Sequence, residues 1–213
     1  MGKLHFCKDW RMAFWNKLLR GRNTPITDRD GLQRFLETRA NFVAQASLYG
    51  YLRTRAGMRF PELFSDDVFV RSINIAKWQL WLACLADIAV YAGGLVASRT
   101  GARPETVGEL MRGAVEGILA ATGMPADAGE QFEAGAQRVR ARIALCDWSS
   151  VPDDETAFSE SPAALVRHAP IVDELKQLDE PIVRNSVRFR WQEVRRDLRR
   201  DLDAVAVLGS IGS

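Results

Sequence analysis

The feature that most constrains this chain is an apolar run from Trp78 to Ala97, WQLWLACLADIAVYAGGLVA. The run is apolar on every side of a helix, which is typical of either a central buried helix or a membrane span. Asp87 lies in its middle, and a carboxylate near the centre of a bilayer costs about 2.5 to 3.5 kcal/mol. We therefore predict a buried core helix over about 66–97, with Asp87 paired to an inward-pointing arginine.

Arg39 is the first candidate for that arginine. It belongs to the segment 27–57, where apolar residues recur at spacings of three, four and seven, as on the buried face of an amphipathic helix. Arg39 lies within this apolar stripe rather than opposite it, so its side chain is expected to point inwards. The sequence thus predicts a buried ion pair between Asp87 and Arg39.

Helical signals dominate the rest of the chain as well. Between the helices, a polar and acidic segment at 149–161 is predicted to be a linker within a single helical domain, 23–213. No run of alternating β-branched residues is long enough for a sheet. The predicted class is all-α, an irregular bundle of about six to eight helices around the central apolar helix. The further helices cover 104–123 and 127–148 and begin at Pro162, Pro170 and Pro181.

Charge and cysteine usage exclude several classes of function. Lys plus Arg number 29 against 27 Asp plus Glu, and the net charge of +2 gives no sign of a nucleic-acid partner. Cys7, Cys84 and Cys146 form no CxxC or Cys/His cluster of the kind that zinc requires. Charged residues interrupt the N-terminus, so no signal peptide is predicted. We expect a cytoplasmic protein with reduced thiols, without a metal or a cofactor.

Residues 1–22 are basic and amphipathic, with six basic residues against one acid. Aromatic and leucine side chains with basic residues around them suit a helix that lies at a lipid headgroup boundary, here the inner face of the membrane. The alternative is a terminal helix docked on its own domain by the same aromatic side chains. The residues predicted to bind an anionic membrane surface or a protein partner are Lys3, Lys8, Trp10, Arg11, Phe14, Trp15, Lys17, Leu18, Arg20 and Arg22.

Arrangements that could carry catalysis are sparse. His168 lies at a predicted helix end, where an imidazole more often contacts terminal carbonyls than abstracts protons. Asp197 and Asp201 are one turn apart and could hold Mg²⁺, but the neighbouring Arg200 favours ion pairing on a solvated face. The chain has no G-x-S-x-G elbow and no phosphate-binding glycine loop. The sequence therefore assigns no catalytic residue.

The stretch from Thr27 to Gly94, and above all LETRANFVAQASLYGYLRTRAGMRFPELFSDDVFVRSINIAKWQLWLACLADIAVYAGG, resembles a family of small, uncharacterised bacterial proteins. Its members are of similar length, and some of them carry an esterase label. The resemblance covers most of the chain. It brings no motif with a known role, so it implies no functional residue here.

Two classes of function remain open from the sequence. The first is a non-enzymatic helical protein that binds a partner or a membrane surface, which the basic, aromatic N-terminus favours. The second is a hydrolase of unfamiliar helical type, which only the resemblance implies. A pocket that joins His168 to a serine or a carboxylate would favour the hydrolase. A solid core with apolar patches on its surface would favour the interaction protein.

Overall fold

The computed structural model describes residues 24–210. These residues contain no β-strand, and their one strand-like pairing is an isolated bridge between Ile26 and Leu202. Two 3-10 turns, Gly57–Arg59 and Glu62–Ser65, join the first two helices. The predicted all-α class is confirmed. The seven described helices are α1 Arg29–Ala56, α2 Asp67–Thr100, α3 Pro104–Thr122, α4 Gln131–Ala144, α5 Glu160–His168, α6 Asp173–Asp201 and α7 Ala204–Gly209.

Helix α2 is the centre of the bundle. It packs against α1, α3, α4, α5 and α7, and from Gln79 to Val96 every residue except Ala83 is buried. By length and composition it is the one described helix that could cross a membrane, with a mean hydropathy of 1.8 in its most apolar window, but 89% of that window is buried inside the bundle. The predicted central helix is confirmed. It continues to Thr100, where Gly101 ends it in the left-handed conformation with φ 63°.

Side-chain acceptors determine where the first two long helices begin. Asp28 caps α1 by accepting a hydrogen bond from the backbone amide of Gly31 at 2.6 Å. Asp66 caps α2 in the same way. Each carboxylate satisfies an amide that the first turn leaves unpaired, at the positive end of the helix dipole.

Helix α6 differs from its predicted boundaries. The helices expected to begin at Pro170 and at Pro181 are one continuous helix, because Pro181 lies inside α6. A proline at this position leaves the carbonyl of Gln177 without its helical donor. Both residues are exposed, so water can satisfy that carbonyl and the helix continues.

The segment between α4 and α5 is irregular but belongs to the core. α4 covers Gln131–Ala144 and is shorter than the predicted 127–148. After it, Trp148 and Phe158 are buried, although the surrounding sequence is polar. The predicted linker therefore contains an apolar side chain that packs into the bundle.

Candidate functional site

Asp87 joins three helices at the centre of the bundle. Its fully buried carboxylate accepts a hydrogen bond from the Arg142 guanidinium at 2.5 Å and from the backbone amides of Glu160 and Ser161 at 3.1 and 2.8 Å. Asp87 therefore ties α2 to α4 and also lies at the positive end of α5. Burial raises the pKa of the Asp87 carboxyl, while the charge of Arg142 and the hydrogen bonds from Ser161 act in the opposite direction.

The predicted burial of Asp87 and its pairing with an arginine are confirmed, but the predicted partner is wrong. Arg39 bonds to Asp197 of α6, with 2.8 Å between Nη2 and Oδ2. The fully buried neighbour Ala40 lies in the core, whereas Arg39 is only partly buried and faces α6. Arg142 reaches Asp87 because α4 packs along α2.

The nucleophilic side chains nearest Asp87 belong to the core. Cys84 and Ser161 are both fully buried, and burial raises the pKa of the Cys84 thiol well above its usual value. The Ser161 hydroxyl accepts a hydrogen bond from the Trp191 indole at 2.9 Å. This contact adds α6 to the helices that the buried cluster holds together, and the cluster offers no nucleophile to solvent.

A groove of about 230 Å³ opens between α2, α4 and α5, beside this cluster. Its volume exceeds the roughly 30 Å³ that a water molecule occupies in the liquid, and it is smaller than most drug-sized pockets. Gly135 keeps its floor open, since an added Cβ would lie 2.6 Å from Leu82 Cδ1. The small and apolar residues of the floor are Leu82, Ala83, Ala86, Gly135, Val139 and Ala164.

One end of the groove carries an excess of positive charge. Arg138 and Arg167 are exposed there, and neither forms an ion pair with the residues that the structure describes. Arg138 Nη2 donates to Gln79 Oε1 at 3.2 Å, and Nε2 of the same amide has no hydrogen-bond partner although Gln79 is only 3% exposed. Burial, then the charges of Arg167 and Arg138, lower the pKa of His168, so the imidazole is mainly neutral at pH 7.

His168 shares the groove with a carboxylate but not with a nucleophile. Glu160 and His168 are eight residues apart on α5, which separates them by about 12 Å along the helix axis. No serine or cysteine is among the described residues that line the groove. Within the described groove, the imidazole therefore has no serine or cysteine beside it of the kind that a nucleophilic hydrolase uses.

Helix α6 carries apolar side chains on two opposite faces. Its inner face packs against α5 and α1 and contains Val183, Val187, Trp191, Val194 and Leu198. Its outer face is open to solvent, and three of its side chains are 72 to 74% exposed. At about 100° per residue the two sets are centred on opposite sides of the helix, and the outer spacing of three, four and seven is that of a helix-packing seam. The outer face of α6 consists of Leu175, Leu178, Ile182 and Phe189.

Two charged side chains flank the outer face of α6. Glu174 lies at its N-terminal end and Arg188 at its C-terminal end, on the same side of the stripe. Within the described part of the chain neither of them forms an ion pair, and Arg188 has only a 3.4 Å hydrogen bond to the Asn185 side chain. Opposite charges thus lie at the two ends of one exposed apolar surface.

The other predicted sites are placed as follows. The ten residues from Lys3 to Arg22 that are predicted to bind a membrane or a partner lie outside the described residues, so that prediction stays open. Asp197 and Asp201 both bond to Arg200, so the predicted ion pairing is confirmed, but the predicted solvated face is wrong, because the two side chains are only 10% and 9% exposed. Between residues 24 and 210 there is no group of three or more metal-binding side chains.

Known proteins give no guide to these surfaces. No family model, curated protein or solved structure matches the chain. The resemblance to a helical bacterial family stays a prediction. The groove and the outer face of α6 are therefore interpreted from their own geometry.

Proposed function

We propose that this protein is a non-enzymatic helical interaction protein that acts as a dimer, with the outer face of α6 as its contact surface. The observation that carries the proposal is the exposed apolar stripe of that face, directly opposite the buried one. Apolar residues exposed singly are ordinary, but several in helical register form a surface suited to a second helix. An amphipathic helix needs only its buried apolar face to pack into the bundle, so packing within the monomer does not explain a second apolar stripe on the solvent side.

The flanking charges favour a second copy of this chain in an antiparallel arrangement. A two-fold axis beside Ile182 places Leu175 of each copy against Phe189 of the other. Along the helix, the same axis brings Glu174 of each copy to within about 3 Å of the level of Arg188 of the other, on the same flank. Such exposed pairs contribute little affinity, but they select an orientation. A parallel pairing would place the two copies of Glu174, and the two copies of Arg188, on opposite flanks of the seam, where neither residue meets the opposite charge.

The contact is short, which determines the kind of dimer to expect. Phe189 lies fourteen residues after Leu175, so the stripe spans about 21 Å of helix. A seam of this length buries less area than an obligate interface. We therefore expect a dimer that forms and dissociates with protein concentration.

Ile182→Lys is expected to make the protein monomeric at concentrations where the unchanged chain is a dimer. A charge at the centre of the seam would be buried without a partner, whereas the monomer keeps the lysine in water. Sedimentation equilibrium over a wide concentration range measures the change. Val205→Lys is the matched control, since Val205 is 71% exposed on α7, away from the stripe. A wild-type chain that stays monomeric throughout, or equal association of both variants, would contradict the proposal.

Exchange of the flanking charges tests the antiparallel orientation. Glu174→Arg places two arginines at the same level, and Arg188→Glu places two glutamates there, so each single variant is expected to weaken the dimer. The double variant restores both pairs with their signs reversed and is expected to recover the lost affinity. Double-variant affinity no better than that of the single variants would exclude the antiparallel arrangement.

Docking on an anionic membrane surface is the second candidate role, and it is supported by the composition of residues 1–22. Near a charged leaflet each of the six basic residues contributes about 1 kcal/mol, before the aromatic side chains add their own burial. This is enough for reversible binding and not for a permanent anchor. A dimer carries two such segments, and binding of both to one vesicle would add avidity.

The full chain is expected to co-sediment with anionic vesicles. A shorter chain that begins at Asn23 is expected to stay in the supernatant. The difference should shrink with added salt, because the Debye length falls from about 10 Å at 0.1 M to about 3 Å at 1 M. Neutral vesicles are the control for apolar burial alone. If both chains bind equally, or if neither binds, residues 1–22 have no membrane role.

A further inference from the structure

The groove between α2, α4 and α5 contains a buried amide group without a partner. Gln79 is 3% exposed, and its Nε2 forms no hydrogen bond within the described structure. Its Oε1 accepts from Arg138 Nη2, so exchanging the two ends of the amide would turn an N–H group towards the guanidinium. A buried donor that is left unpaired lowers stability, and such a group calls for an acceptor. The Gln79 side chain is one of those that line the groove, so a ligand that enters there and reaches the amide would supply the acceptor.

The charge around Gln79 determines which acceptor fits. Arg138 and Arg167 line the groove, and neither has an ion pair with a described carboxylate. After burial, which is the largest cause, their positive charges lower the pKa of His168. Lys176 adds to the same field from α6, where it pairs with Asp173. A guanidinium binds the planar or tetrahedral oxygens of carboxylates and phosphates through charge-assisted hydrogen bonds. This end of the groove therefore favours an anion.

The two remaining titratable groups of the groove, Arg142 and Glu160, do not occupy the end where Arg138 and Arg167 lie. Arg142 is already committed, because its guanidinium donates to Asp87 and to the carbonyl of Ala157 at 2.6 Å. Glu160 lies about two turns along α5 from His168. The imidazole of His168, mainly neutral at pH 7, can donate one hydrogen bond to an anion without first taking up a proton.

The floor of the groove determines the size and polarity of the part of the ligand beyond its anionic group. Between the cationic end and Arg142 the walls are small and apolar, and Gly135 provides their depth, since an added Cβ would also come within 3.2 Å of Gln79 Oε1. An apolar floor of this size accommodates a short hydrocarbon body and excludes a long chain.

We propose that this groove binds a small organic anion whose oxygens lie between Gln79 Nε2, the Arg138 guanidinium and His168, and whose short apolar body lies on the floor around Gly135. The proposal does not depend on dimer formation through α6. It assigns Gln79, a polar residue inside the apolar central helix α2, a role as a hydrogen-bond donor to an anion.

Binding is measured by titrating the isotopically labelled full chain with sodium acetate, sodium butyrate and sodium phosphate, each against sodium chloride at equal ionic strength. We expect a saturable shift of the Gln79 side-chain amide resonance. Tighter binding of butyrate than of acetate would show that the floor holds an apolar body. If phosphate binds more tightly than butyrate, the anionic group is assigned as a phosphate. If none of the three anions gives a saturable shift beyond that of sodium chloride, the proposal is overturned.

Variants separate a ligand role from a structural one. Gln79→Glu keeps the shape of the side chain and can pair with Arg138, so the fold gains an ion pair while an anion is repelled. We expect affinity for the best-bound probe to fall by at least about ten-fold in Gln79→Glu and in Arg138→Gln. Arg112→Gln, at an exposed arginine of α3 that has no ion pair among residues 24–210, should bind as the unchanged chain does. Equal affinity of Arg138→Gln and Arg112→Gln would overturn the proposal even if Gln79→Glu failed to fold.

Discussion

Asp87→Ala is expected to lower the free energy of unfolding by about 3 to 5 kcal/mol. The substitution leaves the Arg142 guanidinium and the first amides of α5 without their acceptor, and each buried group left unpaired costs about 1 to 3 kcal/mol. It also removes a side chain that bonds α2 to both α4 and α5. Urea denaturation measures the loss, and an unchanged slope with denaturant would show that unfolding remains two-state.

A double-mutant cycle identifies the partner of Asp87. Asp87→Ala and Arg142→Ala remove the same ion pair, so their combined effect should be smaller than the sum of the two, by about 0.5 to 3 kcal/mol. Arg39→Ala serves as the control, because Arg39 bonds to Asp197 and its effect should add to that of Asp87→Ala. Unchanged urea stability in Asp87→Ala, or equal coupling to both arginines, would contradict the observed pairing.

The buried ion pair has a consequence for the groove beside it. Arg142 and Asp87 fix α4 against α2, and the amides that bond to Asp87 fix the start of α5. These are the three walls of the groove, so its shape is set before any ligand enters. A site held by such contacts avoids much of the entropy that ordering would otherwise cost on binding.

The central helix could be predicted because its signal is local. An apolar run with one carboxylate favours a buried helix whatever surrounds it, and Asp87 then requires a partner. The partner itself could not be predicted, since Arg39 and Arg142 both lie among apolar residues of their helices. The choice between them depends on how α1 and α4 are rotated against α2. The spacing of residues along the chain does not determine that rotation.

The groove and the outer face of α6 could not be predicted from the sequence, for different reasons. Gln79 is a second polar residue inside the apolar run, so the sequence held a signal for the groove, but its neighbour Arg138 comes from a distant helix. The outer face of α6 has regular helical spacing from Leu175 to Phe189. A helix boundary placed at Pro181 divides that pattern in two, and the stripe is visible only when the helix continues through the proline.

Gly93→Ala is expected to lower the free energy of unfolding by about 1 to 3 kcal/mol, although alanine is the better helix former. An added Cβ would lie 2.2 and 2.6 Å from two ring atoms of Trp148 and 2.9 Å from Met111 Cγ. Both neighbours are buried, at 4% and 0% exposure, so neither can move aside without opening the core. The close approach explains why α2 has a glycine inside its most buried part.

Gly50→Ala is the matched control, because it makes the same substitution within α1. There the nearest atom to an added Cβ is the tip of the Arg190 side chain, at 3.3 Å, which can shift. This variant is expected to be neutral or more stable by up to about 1 kcal/mol, from helix propensity alone. In thermal or urea unfolding, Gly93→Ala should therefore lower the stability of the protein, whereas Gly50→Ala should raise it or leave it unchanged. If Gly93→Ala were as stable as Gly50→Ala, the irregular segment around Trp148 would not be packed against α2 as described.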